Sequence, residues 1–207
     1  VSGKLLSRTQ GVRAGHLALF FGCLMLPVVF LLSFRFTVNV TPSMPVGLYR
    51  LFPVDRPIVR GDVIQICPSP DLAKVVAERE TSGLRGACFY QTVPLLKYVA
   101  ALPGDVVDLR DSGVTVNGVT LPGSAAMPPR KGRPPVPHVA RGRYVLKPGQ
   151  LWLWTPYYRS WDSRYFGPVS TAYVRGFARA VCASGSWADW AGGMRSLASI
   201  PSASKKN

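Results

Sequence analysis

A chain of 207 residues is long enough for one domain with a substantial core plus an appendage or two. Charged residues make up only 17%, while 20 Gly and 19 Pro favour short strands and turns, so a mainly β domain is expected and a helical bundle is not. The formal charge of +15 comes from scattered residues without zinc spacing, a recognition-helix pattern or an RNA-binding aromatic signature, which argues against nucleic acid as a partner and for nearby anionic lipid.

Residues 1–16 carry Lys4, Arg8 and Arg13. The following stretch from Leu17 to Phe34 has no charged residue, and as a helix it would extend about 27 Å, close to the thickness of a bilayer's hydrocarbon core. A single-pass anchor is therefore expected over 17–34, and lipid-embedded helices tolerate a proline such as Pro27. No small-x-small cleavage site follows at Ser33 to Phe36, so the segment reads as a retained anchor, and Cys23 as a membrane-facing apolar residue. The basic residues before it put residues 1–16 in the cytoplasm and everything after Phe34 across the inner membrane, in the periplasm. In that oxidising compartment Cys67 and Cys88 either pair or stay reduced, and spacing alone does not decide between the two.

Past the anchor, residues 35–182 read as one domain. Thr37 to Val40 alternates as a short strand, Thr41 to Gly47 breaks it with a turn, and Leu48 to Leu51 resumes extended structure. Asp62 to Ile66 is a further strand, and Asp71 to Arg79 is the one helical stretch outside the anchor. Leu95 to Ala101 and Val106 to Leu109 flank a Pro-Gly turn, and Asn117-Gly118 marks a tight hairpin within Val114 to Thr120. Residues 121–143, rich in Pro and basic residues, read as a surface excursion. Tyr144 to Leu146 and Leu151 to Trp154 flank another turn, a strand is expected from Ala172 to Val181, and the tail at 183–207 has no evident role.

Serine chemistry needs a base, and the usual histidine is badly provided for: His16 lies before the anchor and His138 in the excursion. Lysine can serve when apolar surroundings lower its pKa from about 10.4. Lys97 fits, because alternation along its strand puts Leu95 and Val99 on its own face with Leu96 and Tyr98 behind. A lysine snorkelling from a sheet edge is the bland alternative. No Cys-x-x-Cys, His-Glu-x-x-His, Gly-x-Gly-x-x-Gly or phosphate-loop pattern occurs, so no cofactor or metal is expected.

Four segments in order resemble the blocks of the serine-lysine signal peptidase family, and more closely its TraF-type conjugative-transfer branch. They run from Thr41 to Tyr49, from Arg60 to Ile64, from Lys97 to Asp105 and from Ser160 to Val169, with Met44 directly followed by Pro45 as in that branch. The resemblance implies a signal-peptidase-like β-fold with Ser43 as nucleophile and Lys97 as general base. It also implies that the Ser43 N–H and the Thr41 hydroxyl form the oxyanion site, that Ser160 orients the lysine amine, and that Asp162 and Arg164 brace the site as an ion pair. Turn capping and surface pairing are the structural alternatives for Thr41, Asp162 and Arg164. The general branch carries a Gly-Asp-Asn element where this chain has Trp154 to Tyr157, which leaves Asp162 without an acidic neighbour.

The implied function is a membrane-anchored peptidase maturing a membrane-presented precursor, a pilin precursor of a conjugative type IV secretion system, by hydrolysis or by cyclisation. A substrate strand could add beside the strands bearing Val38 and Lys97. The competing readings are a general signal peptidase removing export signals, a non-catalytic assembly protein of the secretion apparatus, and a membrane-tethered nucleic-acid binder.

Overall fold

The computed structural model describes residues 16, 19–26, 29, 35–79, 83–125, 138–184 and 194–202. The chain divides into two compact units, Val1–Phe36 and Thr37–Asn207. In the first, residues 16, 19–26 and 29 are helical, and Leu19, Phe20 and Leu26 are largely exposed. No helix among the described residues is long and apolar enough to cross a membrane, and the remainder of the expected 17–34 span lies outside them.

The second unit is built on two antiparallel sheets. In chain order its elements are β1 (Phe36–Asn39), β2 (Val46–Phe52), β3 (Val63–Ile66), α1 (Pro70–Arg79), β4 (Leu95–Ala101), β5 (Val106–Arg110), β6 (Gly113–Val116), β7 (Val119–Thr120), β8 (Gly142–Val145), β9 (Gln150–Trp154), α2 (Ser163–Phe166), β10 (Val169–Ser170) and β11 (Val174–Ser184). The larger sheet has the order β1-β2-β11-β3-β4-β9-β10 and the smaller β7-β6-β5-β8. The mainly β architecture agrees with the Gly- and Pro-rich composition. Asn117 and Gly118 both take positive φ, 49° and 87°, as a tight turn between β6 and β7 requires.

Alternation along β4 sorts its side chains into two cores. Leu96, Tyr98 and Ala100 join Tyr49, Val107, Val116, Trp152 and Trp154 between the sheets, while Val99 joins Ile64, Leu153 and Phe177 on the opposite face. Lys97 shares the face of Val99, so the chain's own periodicity directs a lysine inward.

Three expectations need correction. The expected excursion over 121–143 is anchored in the core at its start: Leu121 and Ser124 are buried, and the Ser124 hydroxyl accepts from the Val114 N–H at 2.9 Å, whereas Pro122, Gly123 and Ala125 are exposed and residues 126–137 lie outside the described residues. The tail has a packing role, since Leu197 and Ile200 enter the first core and Arg60 Nη1 donates to the Ile200 carbonyl at 2.8 Å. The strand bearing Lys97 is open to an added strand over only part of its length: at Val99 the N–H donates to the Asp62 carbonyl, the carbonyl accepts from the Gly61 N–H, and the residue pairs with Leu153 of β9. Among the described residues of β1 and β4, backbone for an added strand is unpaired on the outer side of β1 and at Leu95–Lys97, beyond the point where β9 reaches β4 at Tyr98. The Cys67–Cys88 disulfide is formed between residues 21 positions apart and closes a loop that contains α1, a constraint worth about 3 kcal/mol on chain-entropy grounds.

Candidate active site

The segment from Asn39 to Tyr49 makes a turn between two strands, and its own residues hold it. Asn39, buried at the end of β1, donates from Nδ2 to the carbonyls of Thr41, Met44 and Pro45. Tyr49 Oη donates to Pro45 O at 2.7 Å from inside the core, and Met44 is buried to 1% exposure. Gly47 is needed where β2 starts, because a Cβ there would lie 2.1 Å from the Cys182 carbonyl oxygen of β11. Ser43 is left half-buried on the turn with Thr41 exposed beside it, their hydroxyl oxygens 3.0 Å apart.

Lys97 Nζ donates to Ser43 Oγ at 3.2 Å. The lysine is 2% exposed, and burial lowers its pKa from 10.5 to about 8, an effect that the Asp162 carboxylate opposes and Arg164 reinforces. A buried amine in hydrogen-bond reach of a half-exposed hydroxyl is the arrangement that lets lysine act as a base near neutral pH. Among the described residues the Ser43 backbone N–H has no partner, so it is free to donate to an incoming carbonyl oxygen.

Asp162 and Arg164 form a buried ion pair, with Nε to Oδ1 at 2.8 Å and Nη2 to Oδ2 at 2.9 Å. Asp162 also caps α2 by accepting from the Arg164 N–H and accepts from the Thr155 N–H. The guanidinium donates to the carbonyls of Gly123, Tyr157 and Ser160, so one side chain ties the 121–125 segment to the loop before α2. Surface pairing is excluded for these two residues at 0% and 1% exposure. Ser160 departs from expectation: it is buried, but its hydroxyl has no hydrogen-bond partner among the described residues, and the Lys97 amine is directed to Ser43 instead.

Residues 10–183 match the signal peptidase family, peptidase S26. The chain belongs to that family. It is 38% identical over 149 residues to the conjugal transfer protein TraF of Agrobacterium tumefaciens (strain 15955), covering 70% of this chain and 81% of the relative. It is 37% identical over 148 residues to the probable conjugal transfer protein TraF of Sinorhizobium fredii, covering 70% and 76%. Among solved structures, a signal peptidase I from Enterococcus faecalis covers 59% of this chain and 97% of its own at 22% identity, with a TM-score of 0.33.

In this peptidase a cleft of about 320 Å³ opens at the Ser43 and Lys97 pair, lined on the turn side by Thr41 and Pro42. Val76 of α1, Val93 and Leu95 supply apolar lining, and Tyr157, Arg159 and Trp161 come from the loop before α2. Trp161 stacks on Tyr165 with ring centroids 5.3 Å apart, which fixes its orientation beside the cleft. Such a trough suits an extended peptide with apolar side chains. Sequence reasoning gave no role to Asn39 or Tyr49, nor to the cleft residues Val76, Val93, Tyr157, Arg159 and Trp161. A signal for Asn39 existed, since an asparagine closing a strand just before a Pro-containing turn is a standard side-chain brace for turn backbone. Nothing in the sequence pointed to Val76 and Val93, which meet at the cleft only through the fold.

Proposed function

We propose that the chain is a serine endopeptidase in which Ser43 is the nucleophile and Lys97 the general base. The observation that carries this reading is the 3.2 Å contact between Lys97 Nζ and Ser43 Oγ, made by a lysine whose pKa is lowered to about 8. Neutral Lys97 takes the Ser43 proton as Oγ bonds to the scissile carbonyl carbon. The negative charge on the carbonyl oxygen is met by the Ser43 N–H and, once it turns, by the Thr41 hydroxyl. Collapse breaks the C–N bond, the departing amine takes the proton from Lys97, and an ester on Ser43 remains. Lys97 then removes a proton from the second nucleophile, which attacks the ester and releases Ser43.

Membership of the signal peptidase family and the similarity to the TraF proteins support a precursor of conjugative transfer as substrate. We take this to be a pilin precursor presented at the periplasmic face of the inner membrane, with 17–34 as the anchor. Water as second nucleophile yields a linear subunit, and the precursor's own amine yields a cyclic one.

The test is expression of wild type, Ser43→Ala and Lys97→Ala in cells whose conjugative plasmid lacks its own peptidase, with the pilin precursor followed by mass. Wild type alone is expected to restore the mature subunit, and a product lighter by one further water identifies cyclisation. Maturation by both variants would sink the assignment and favour an assembly role without catalysis. With purified protein the acylation rate should rise about tenfold from pH 7 to 9 and then level, because Lys97 loses its proton through about 8.

A further inference from the structure

Asn39 does more than close a strand. Its Nδ2 lies 2.8, 2.8 and 3.1 Å from the carbonyl oxygens of Thr41, Met44 and Pro45. Three acceptors converging on one atom require a donor there, so the amide cannot be turned over and Oδ1 must face the other way. On that side Oδ1 accepts from the Thr41 N–H at 3.4 Å and from Thr41 Oγ1 at 3.1 Å. The single hydroxyl hydrogen of Thr41 is thereby committed to Asn39, and Thr41 Oγ1 meets Ser43 Oγ, 3.0 Å away, as an acceptor. Lys97 Nζ donates to the same Ser43 Oγ at 3.2 Å. The direction of hydrogen bonding along Lys97, Ser43, Thr41 and Asn39 is thus set from the asparagine end.

We infer that Asn39 is a positioning residue for the acylation step, a role that rests on Ser43 being the nucleophile and Lys97 its base. When Lys97 is neutral, the Ser43 hydrogen turns from Thr41 to Nζ. The Thr41 hydroxyl then turns from Oδ1 to the developing oxyanion, while Oδ1 keeps the Thr41 N–H and Nδ2 keeps the turn carbonyls. The backbone of the turn stays still as two hydroxyls exchange partners, which is the preorganisation that oxyanion stabilisation needs. Removing the amide takes its donor from the buried Met44 carbonyl, leaves the Pro45 carbonyl to Tyr49 alone and frees the Thr41 hydroxyl, so the loss falls on the rate of acylation and not on substrate affinity.

A purely structural brace and a positioning residue differ in the behaviour of Asn39→Asp. The substitution is isosteric, but its second oxygen faces three carbonyls, where only a protonated carboxyl can donate, and burial favours that neutral form. The variant therefore needs a neutral Lys97 and a protonated carboxyl at once.

The test uses the full-length chain in detergent and a p-nitrophenyl ester as acylating probe, with Ser43 acylation read by peptide mass across pH. Wild type is expected to rise through about 8 to a plateau, whereas Asn39→Asp gives a bell-shaped profile whose maximum lies below that plateau. Asn39→Ala is expected to lower the acylation rate constant about 100-fold and to change the half-saturating probe concentration less than about threefold. Thr41→Val combined with Asn39→Ala should cost little more than either alone, because the two act as one unit. If Ser43→Ala and Lys97→Ala are silent but Asn39→Asp follows the wild-type profile, the inference on Asn39 falls by itself, and this variant decides even where Asn39→Ala does not fold. If Ser43→Ala releases p-nitrophenol from the probe at the wild-type rate, the nucleophile assignment falls and the inference goes with it.

Discussion

The proposed base and the proposed nucleophile are held by opposite means. Lys97 sits in the middle of β4, paired with β3, and its position is a consequence of sheet register and two apolar cores. Ser43 sits on a turn between β1 and β2, where no ladder satisfies the backbone and the Asn39 amide and Tyr49 hydroxyl take over that task. The two chemical demands explain the difference. A lysine that is to lose its proton near neutrality must be dry, and a strand interior is dry; a nucleophile must meet substrate, and only a loop leaves it accessible. The base therefore costs folding stability, while the nucleophile depends on local hydrogen bonds that cost little.

The contrast can be broken most forcefully on the base side. Arg164→Met leaves the Asp162 carboxylate buried without its partner, and urea denaturation should report a loss of roughly 3–5 kcal/mol. A loss below about 1 kcal/mol would mean that the loop before α2 is held by something other than this pair.

Lys97→Met should act in the opposite direction. In wild type the folded pKa is about 8 against 10.5 unfolded, so below pH 8 the amine is charged in both states and its burial cost is fully present. Between those values the unfolded chain holds more protons, stability rises with pH, and the cost has gone by 10.5. The variant should then be more stable than wild type by roughly 3 kcal/mol at pH 7, with the difference closing towards pH 10.5, as urea midpoints at both ends would reveal. A pH-independent difference would place the effect in packing instead of charge.

On the nucleophile side the effects should be small. Tyr49→Phe removes one buried hydrogen bond to the Pro45 carbonyl and should cost about 1 kcal/mol in the same assay. Ser43→Ala, on a half-exposed turn, should stay within about 0.5 kcal/mol of wild type while abolishing acylation. A larger destabilisation by Ser43→Ala than by Tyr49→Phe would erase the distinction between the two regions.

Much of this was legible along the chain because it depends on residues near each other in sequence. The period-2 pattern around Lys97 assigned its face before any partner strand was known, and Asn117-Gly118 announced its turn by backbone preference alone. For Ser160 the resemblance implied a hydroxyl on the lysine amine, and its actual orientation was not legible, since a hydroxyl's partner depends on rotamer and loop path. At the start of the 121–143 excursion the burial of Leu121 and Ser124 was not legible, because Pro and Gly read as surface, whereas Arg164 holds the carbonyls of Gly123 and Ala125 from 39 or more residues away. Leu197 and Ile200 were hidden in a stretch of Gly, Ser and Ala that has no periodicity to read.

The sequence by itself determined the β class, the turn that carries Ser43 and the strand face that Lys97 shares with Leu95 and Val99, because each follows from propensity, turn chemistry or alternation over a few residues, but it left open whether the lysine turns inward or snorkels. Tertiary structure alone decided that Lys97 lies 3.2 Å from Ser43, that Asp162 and Arg164 are a buried pair beside them, that α1 and the loop before α2 enclose one cleft, and that the tail completes the core. These are contacts between segments distant along the chain, and their geometry is set by how two sheets pack, which no local pattern encodes.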